Sequence, residues 1–347
     1  MGKTKVNKGK KKKARRDVDV DVSGIVKKMS KKFEVEVMDK DTPDRVPYYI
    51  PFRHIGLQMI TGGVPGARFT EIRGDSQCGK SYLIYELGLE TLKMGGVFLL
   101  NDPENAYETA YGRRVGLEGN NTFAFSSERV LEDCFLLYRD FITRVRVKNK
   151  KCPILIGCDS YPPIQTILTK AEIEQQLKEN GAKKLKGYRE AKKNALFSNL
   201  MGEFLGFIEE TNTTFILLNQ LKKKIGVVFG DDTTSNADNI IRYYTTLRLQ
   251  GTLGKRIKNK ATGRRTGMWS KWETIKSRRI TPFKSVSTKI LYQDGVDRMS
   301  GLSELLVAEG KVKKVKGKPK LVDYKGRKVD IPKLMDKRPK LFRPLLD

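Results

Sequence analysis

Residues 68–81 read RFTEIRGDSQCGKS, and the expected fold follows from them. Residues 68–73 have the make-up of a short strand, and 74–81 form a glycine-rich loop. Leu83, Ile84, Leu87 and Leu92 then recur on one side of a helix that Gly95 and Gly96 stop, and Val97 to Leu100 give a wholly apolar strand. The result is a β-loop-α-β unit whose loop lies at the carboxyl end of a strand, where open α/β sheets bind ligands.

Two more strands of the buried type are expected at 154–158 (ILIGC) and 214–218 (TFILL), leading into Asp159–Ser160 and Asn219–Gln220. Between them Leu196, Phe197, Leu200, Met201, Phe204, Leu205 and Ile208 keep helical spacing and should cover the sheet. The expected fold class is therefore α/β, a mostly parallel twisted sheet flanked by helices. Residues 243–250 and 284–292 read as edge strands. A basic arm is expected at 1–17, since the first 16 residues hold nine Lys or Arg and no acid. A small element and linker follow at 18–60, with Ile25, Val26, Met29 and Phe33 at helical spacing. The core spans 61–298, and a small basic domain spans 299–347.

Gly74, Gly79, Lys80 and Ser81 complete the pattern GxxxxGK[S/T]. Its glycines let the N–H groups of Asp75, Ser76, Gln77 and Cys78 turn inward on phosphate oxygens, and the helix from about Lys80 adds its positive end. Lys80 supplies a charge to the β and γ phosphates, the Ser81 hydroxyl is a hard ligand for Mg2+, and Tyr82 completes the run expected at the nucleotide. A glycine turn with an incidental lysine has the same letters, but the strand before and the helix after favour the phosphate cradle. Asp159 closes the second strand, where a carboxylate holds the Mg2+ shell or caps a helix. Glu104, in NDPEN, is either the base that orients an attacking water or a solvated turn acid beside Pro103. Gln220 precedes Leu221, Lys222, Lys223 and Lys224. It either touches the γ phosphate and moves the basic segment or is a surface residue of a βα turn.

The whole chain of 347 residues carries a formal charge of +29, from 69 Lys and Arg against 40 Asp and Glu. Such an excess favours a polyanionic partner, because each phosphate neutralised releases counterions. No apolar run is long enough to span a bilayer and no secretory leader is evident, so a cytosol-like compartment is expected. Cys78, Cys134, Cys152 and Cys158 form no CxxC pair, and four reduced core thiols are expected in place of zinc or disulfides. His54 is the only histidine, which excludes multi-histidine metal sites.

Several longer strings arrive in order: GGVPGARFTEIRGDSQCGKS (62–81), NDPENAYETAYGRRVGL (101–117), CDS (158–160), KAEIE (170–174) and LLNQLKKKIGVVFGDDTTSNADNIIRYYTTLRL (217–249). SRRITPFK (277–284), ILYQDGV (290–296) and YKGRKV (324–329) follow. In these the chain resembles the RecA family of homologous-recombination ATPases across about residues 60–330, with the divergence of a virus-encoded (phage) member. The resemblance implies a RecA-like P-loop NTPase core that uses ATP and Mg2+. It further implies a helical filament of this chain on single-stranded DNA, pairing with homologous duplex DNA, partners that bind single strands or load the filament, and a DNA-associated place in the cytoplasm.

It also implies that Glu104 is the catalytic carboxylate, that Tyr111 packs on the adenine and that Gln220 couples nucleotide to DNA. Ordinary aromatic packing is the other reading of Tyr111. Two DNA-holding loops are implied. The first, about 174–189, carries Lys178, Lys183, Lys184, Lys186 and Arg189; the second, about 221–237, carries Lys222, Lys223, Lys224, Ile225, Val227, Val228 and Phe229. Lysines grip phosphate without reading bases, and an exposed apolar tip can wedge between them. Lys276 and Arg278 resemble a basic pair that reaches a neighbouring subunit's ATP, with Arg279 competing for the role. The first 60 residues match poorly, the first loop looks lengthened and more basic, and no acidic tail follows. A helicase sharing the same core and a coat or mediator protein that only senses ATP are the alternatives.

Overall fold

A computed structural model describes residues 22–30, 32, 38, 44–117, 121–178, 186–223, 233–293, 295–310, 312–314, 321–322 and 330. The chain divides into two compact units, 1–45 and 46–347. Helix α1 (Val22–Met29) is described in the first, over the spacing of Ile25, Val26 and Met29; the basic arm lies outside the described residues. The second unit opens with an antiparallel pair, β1 (Tyr49–Ile50) and β2 (Val64–Pro65), separated in sequence by α2 (Ile55–Thr61).

The main sheet then forms from β3 (Phe69–Gly74), α3 (Lys80–Lys93), β4 (Val97–Asn101), α4 (Thr109–Val115), β5 (Phe123–Ser126), α5 (Leu131–Lys148) and β6 (Ile154–Cys158). Helices α6 (Ile167–Lys178) and α7 (Lys186–Glu210) precede β7 (Thr213–Lys223), β8 (Thr233–Ser235), α8 (Asp238–Tyr244), β9 (Leu247–Lys258), β10 (Arg265–Ser277), β11 (Ser285–Leu291) and β12 (Gly295–Val296). Helix α9 (Leu302–Ala308) and the pair β13 (Lys313–Lys314) and β14 (Leu321–Val322) follow.

The sheet order is β12-β11-β10-β9-β3-β7-β6-β4-β5, with β8 on β7. Neighbours from β9 to β5 are parallel, and β10, β11 and β12 extend the sheet antiparallel. Strand residues alternate between two cores, as a period of two requires. Ile72, Phe98, Leu100, Leu155, Ile216 and Leu218 pack with Leu83, Ile84 and Leu87 of α3, and α9 adds Leu302, Leu305 and Leu306. Leu99, Ile154, Ile156, Phe215 and Leu217 pack on the other face with Phe135 and Tyr138 of α5 and Phe197, Met201 and Phe204 of α7. Close approach matters on the first face: a methyl group at Gly88 of α3 would lie 2.3 Å from the Phe98 ring.

One expectation is corrected. Residues 243–250 were expected as an edge strand, but Tyr243 and Tyr244 end α8, and β9 begins at Leu247 and lies beside β3 in the sheet interior. Arg248 of this interior strand is buried, with Glu71 and Asp238 paired to it. Residues 285–291 do form an outlying antiparallel strand.

Candidate functional site

Backbone geometry builds the loop between β3 and α3. A Cβ at Gly74 would stand 2.5 Å from the Gly251 carbonyl oxygen. Gly79 caps α3 at φ +97, and a Cβ there would meet Ile290 Cδ1 at 2.4 Å, so both positions demand glycine. Lys80 is 9% exposed, and its Nζ donates to the Gly74 carbonyl at 3.2 Å and the Asp75 carbonyl at 2.7 Å. The ammonium is thus tethered at the loop, ready to exchange carbonyl oxygens for more negative ones. Leu253 N–H donates to Asp75 Oδ2 at 2.9 Å and Ser270 Oγ to the Cys78 carbonyl at 2.8 Å, which anchors the loop on β9 and β10. Ser76 and Gln77 stand exposed at its crest, and burial pushes the Cys78 thiol up to about 11, leaving it unreactive.

Three further strands converge here. Register sets Gly74 beside Gln220 and Asn101 beside Cys158, so the residues after β4 and β6 flank the loop. The half-buried Asp159 side chain hydrogen-bonds Ser81. Burial lifts its pKa to about 6; the Ser81 bond opposes this, Asp102 and Glu104 add to it, and Lys80 lowers it. Glu104 Oε1 accepts from Ser160 Oγ at 2.6 Å and from Gln220 Nε2 at 3.4 Å. One exposed carboxylate therefore joins β4, β6 and β7. Asp102 escaped the sequence reading, although Asp before Pro is a turn signal. Its Oδ2 accepts the N–H groups of Ala106 and Tyr107 at 2.7 Å each and so shapes the turn that carries Glu104.

Ser81 and Asp159 are adjacent hard oxygen donors. Among the described residues no group of three or more His, Cys, Asp or Glu is placed to hold a metal. This sparse set does not suit zinc but fits an ion that keeps water and phosphate as its other ligands, as Mg2+ does.

A cavity of about 400 Å³ lies over the loop, lined by Gln77, Gly79, Lys80, Ser81, Met268 and Tyr292. Met268 and Tyr292 were missed; ILYQDGV carried the only signal for Tyr292. Tyr111 on α4 is half-buried, with ring centres 5.8 Å from Tyr85 and 6.3 Å from Tyr82. Burial raises the Tyr82 and Tyr111 hydroxyls above their ordinary range. Tyr82 donates to Glu86 Oε1 at 2.9 Å, and burial lifts the Glu86 carboxyl to about 7.

The expected DNA-holding cations that fall within the described residues lie elsewhere. Lys222 and Lys223 are exposed at the end of β7, and Lys222 Nζ bonds Asn236 Oδ1, joining the two ends of the second segment. Lys178 ends α6 and Lys186 begins α7. Arg189 and Lys192 both pair with Glu172 of α6, at 3.3 and 3.7 Å. Lys183, Lys184, Lys224, Ile225, Val227, Val228 and Phe229 lie outside the described residues.

Lys276 pairs in register with Arg248, which faces Glu71, three residues before Gly74. That offset puts Lys276 roughly 10 Å along the strands from the phosphate loop, towards their opposite end. Its Nζ donates to the Arg242 carbonyl at 2.5 Å, and burial, then Arg278, Arg248 and Arg242, lowers its pKa. Arg278 is exposed, whereas the Arg279 guanidinium lies 3.5 Å from the Tyr49 ring centre. Nearby, Arg248 Nε donates to Glu71 at 2.5 Å and its Nη2 to Asp238 at 2.6 Å, while Arg73 reaches Asp238 at 2.7 Å.

The family model for the RecA N-terminal domain matches residues 20–297. Protein RecA of Ruminococcus albus is 27% identical over 263 residues, covering 75% of this chain and 60% of that protein. Protein RecA of Geobacter sulfurreducens is 27% identical over 280 residues, covering 80% and 76%. Protein RecA of Bifidobacterium longum is 28% identical over 281 residues, covering 79% and 64%. The chain thus spans between three fifths and about three quarters of these relatives' length.

Proposed function

This chain belongs to the RecA family, and on that premise we propose that it is an ATP-hydrolysing DNA recombinase. It assembles as a helical filament on single-stranded DNA and exchanges strands with homologous duplex DNA. The observation that carries this reading is the convergence on Glu104. The carboxylate that would orient water is bonded to Gln220, whose strand runs straight into Lys222 and Lys223.

Lys80 and the loop N–H groups hold the β and γ phosphates. Ser81 and Asp159 would hold Mg2+, which offsets charge on the transferring phosphoryl group. Glu104 orients water for in-line attack, with Ser160 fixing its second direction. A γ phosphate gives the Gln220 amide a competing acceptor, and its departure shifts the end of β7 together with the second DNA-holding segment, 221–237. Lys178, Lys183, Lys184, Lys186 and Arg189 at the first segment grip phosphate, and Ile225 and Phe229 of the second wedge between bases. Tyr111 and Tyr292 flank the adenine side. Lys276 and Arg278 complete the ATP of the adjoining copy; the roughly 10 Å offset along the strands from Lys276 to its own phosphate loop supports action between subunits.

The test is a strand-exchange assay with and without ATP, imaged for filaments on the same DNA, alongside single-strand affinity with a non-hydrolysable analogue. Joint molecules that require ATP, and affinity that rises with the analogue, are expected. Filaments without homologous pairing indicate a coat protein, and directional unwinding without filaments indicates a helicase. Affinity indifferent to nucleotide at several salt concentrations overturns the reading.

A further inference from the structure

Lys193 on α7 has no part in the chemistry above, yet it is a lysine only 4% exposed. Its Nζ donates to the carbonyl oxygens of Tyr161 and Pro162, both at 3.3 Å, and lies 4.2 Å from the centre of the Tyr161 ring. Among the described residues it forms no ion pair with a carboxylate; Glu190, whose charge acts on it, is exposed. A buried ammonium without a carboxylate is costly unless its acceptors are well placed, so the turn it holds has to be held firmly.

That turn is the one that follows β6. Asp159, which bonds Ser81, and Ser160, which donates to Glu104, directly precede the two carbonyl groups that Lys193 grips. Two further contacts complete the clamp from the same helix: Tyr161 Oη donates to Asn194 Oδ1 at 3.1 Å, and the Tyr161 ring packs 4.8 Å from Phe197. On its other side the Tyr161 N–H donates to the Leu218 carbonyl at 3.1 Å, two residues before Gln220. Helix α7 also begins at the edge of the first basic segment, and Arg189 and Lys192 tie it to Glu172 of α6. The two helices are therefore linked within about one turn of Lys193.

We propose that Lys193 is a positioning residue that locks the 159–162 turn to α7, so that a shift of α7, the helix tied to Glu172 through Arg189 and Lys192, sets the aim of Glu104. This rests on the recombinase reading for the role of Glu104 and for DNA as the ligand that shifts α7. It adds a route to the catalytic carboxylate that is separate from Gln220. Removing the charge leaves the two carbonyls without their donor and loosens Ser160, and with it the bond that aims Glu104.

The experiment uses the full chain carrying Lys193→Met, Lys193→Gln or Lys193→Arg. Steady-state ATP hydrolysis is measured with and without single-stranded DNA, with KM for ATP, DNA affinity by anisotropy and Tm. The Met and Gln variants should lose about tenfold in DNA-stimulated kcat while KM and DNA affinity stay within about twofold, because a small misalignment costs rate more than binding. Lys193→Arg should recover most of the loss. Full stimulated kcat in both neutral variants overturns the proposal. So does a fall in Tm and ATP affinity that parallels kcat and that Arg does not repair, since that marks a purely structural staple. If wild-type hydrolysis ignores DNA, the recombinase reading fails, and the clamp is then judged on basal kcat, which must fall in Met and Gln and recover in Arg.

Discussion

The nucleotide end of the sheet and the face around Arg248 bury charge in opposite ways. Around Arg248 every carboxylate oxygen is engaged. Glu71 Oε1 accepts from Asn219 and Ser235 and its Oε2 from Arg248, while Asp238 accepts from Arg73, Arg248 and Ser235 on one oxygen and from Arg242 on the other. Burial pulls the Asp238 carboxyl up, but the Arg248 bond and the charges of Arg248 and Arg73 outweigh it and leave its pKa below the ordinary value. At the nucleotide end the carboxylate oxygens are not all engaged among the described residues. Asp102 Oδ1 and Glu86 Oε2 have no hydrogen-bond partner among the described residues, and burial lifts Asp159 to about 6 and Glu86 to about 7. Burial is similar in the two regions, so the partners of the carboxylates decide the outcome: fully engaged oxygens stabilise, and oxygens left without a donor suit an incoming ligand.

Substitutions in the two regions should have opposite consequences. Lys80→Ala should bring ATP turnover below detection, a loss of at least about 10⁴-fold, with little change in unfolding midpoint. Glu104→Gln should cut kcat about 10³-fold while ATP and DNA binding persist; a fully active variant would remove Glu104 from its role. Arg248→Ala should behave in the opposite sense. It leaves Glu71 and Asp238 buried and short of a partner and should cost about 4 kcal/mol in urea unfolding.

The smallest effect concerns Glu86. Its folded pKa of about 7 exceeds the ordinary 4.5, so the fold disfavours the ionised form. Its contribution is fully present below about 4.5 and is lost as pH rises through about 7. Glu86→Gln should therefore stabilise the protein at pH 8 by up to about 3 kcal/mol and change little near pH 4.5, read from unfolding midpoints at the two pH values. Equal effects at both would show that Glu86 is satisfied after all.

Much of this site was legible in one dimension. Lys80 and Ser81 act through loop geometry that four nearby residues encode, and Asp159 follows an apolar strand whose composition marks its end, whereas the strand expected at 214–218 runs on through Gln220 to Lys223 because β8 pairs with its polar end. Glu104 was legible as a candidate, but its link to Ser160 and Gln220 spans 56 and 116 residues and required the parallel register of β4, β6 and β7. Lys193 gave no signal at all, since a lysine between Lys192 and Asn194 at the start of a long helix reads as a solvated face.

By itself the sequence determined the elements and the phosphate loop, because short-range spacing of apolar residues and glycines dictates strand, turn and helix over a few residues. Tertiary structure alone decided which strand lies in the interior, that Met268 and Tyr292 wall the cavity, and which buried charges find partners. Those outcomes depend on pairing between segments far apart in the chain, and electrostatic cost depends on what stands within a few ångströms, which linear order does not specify.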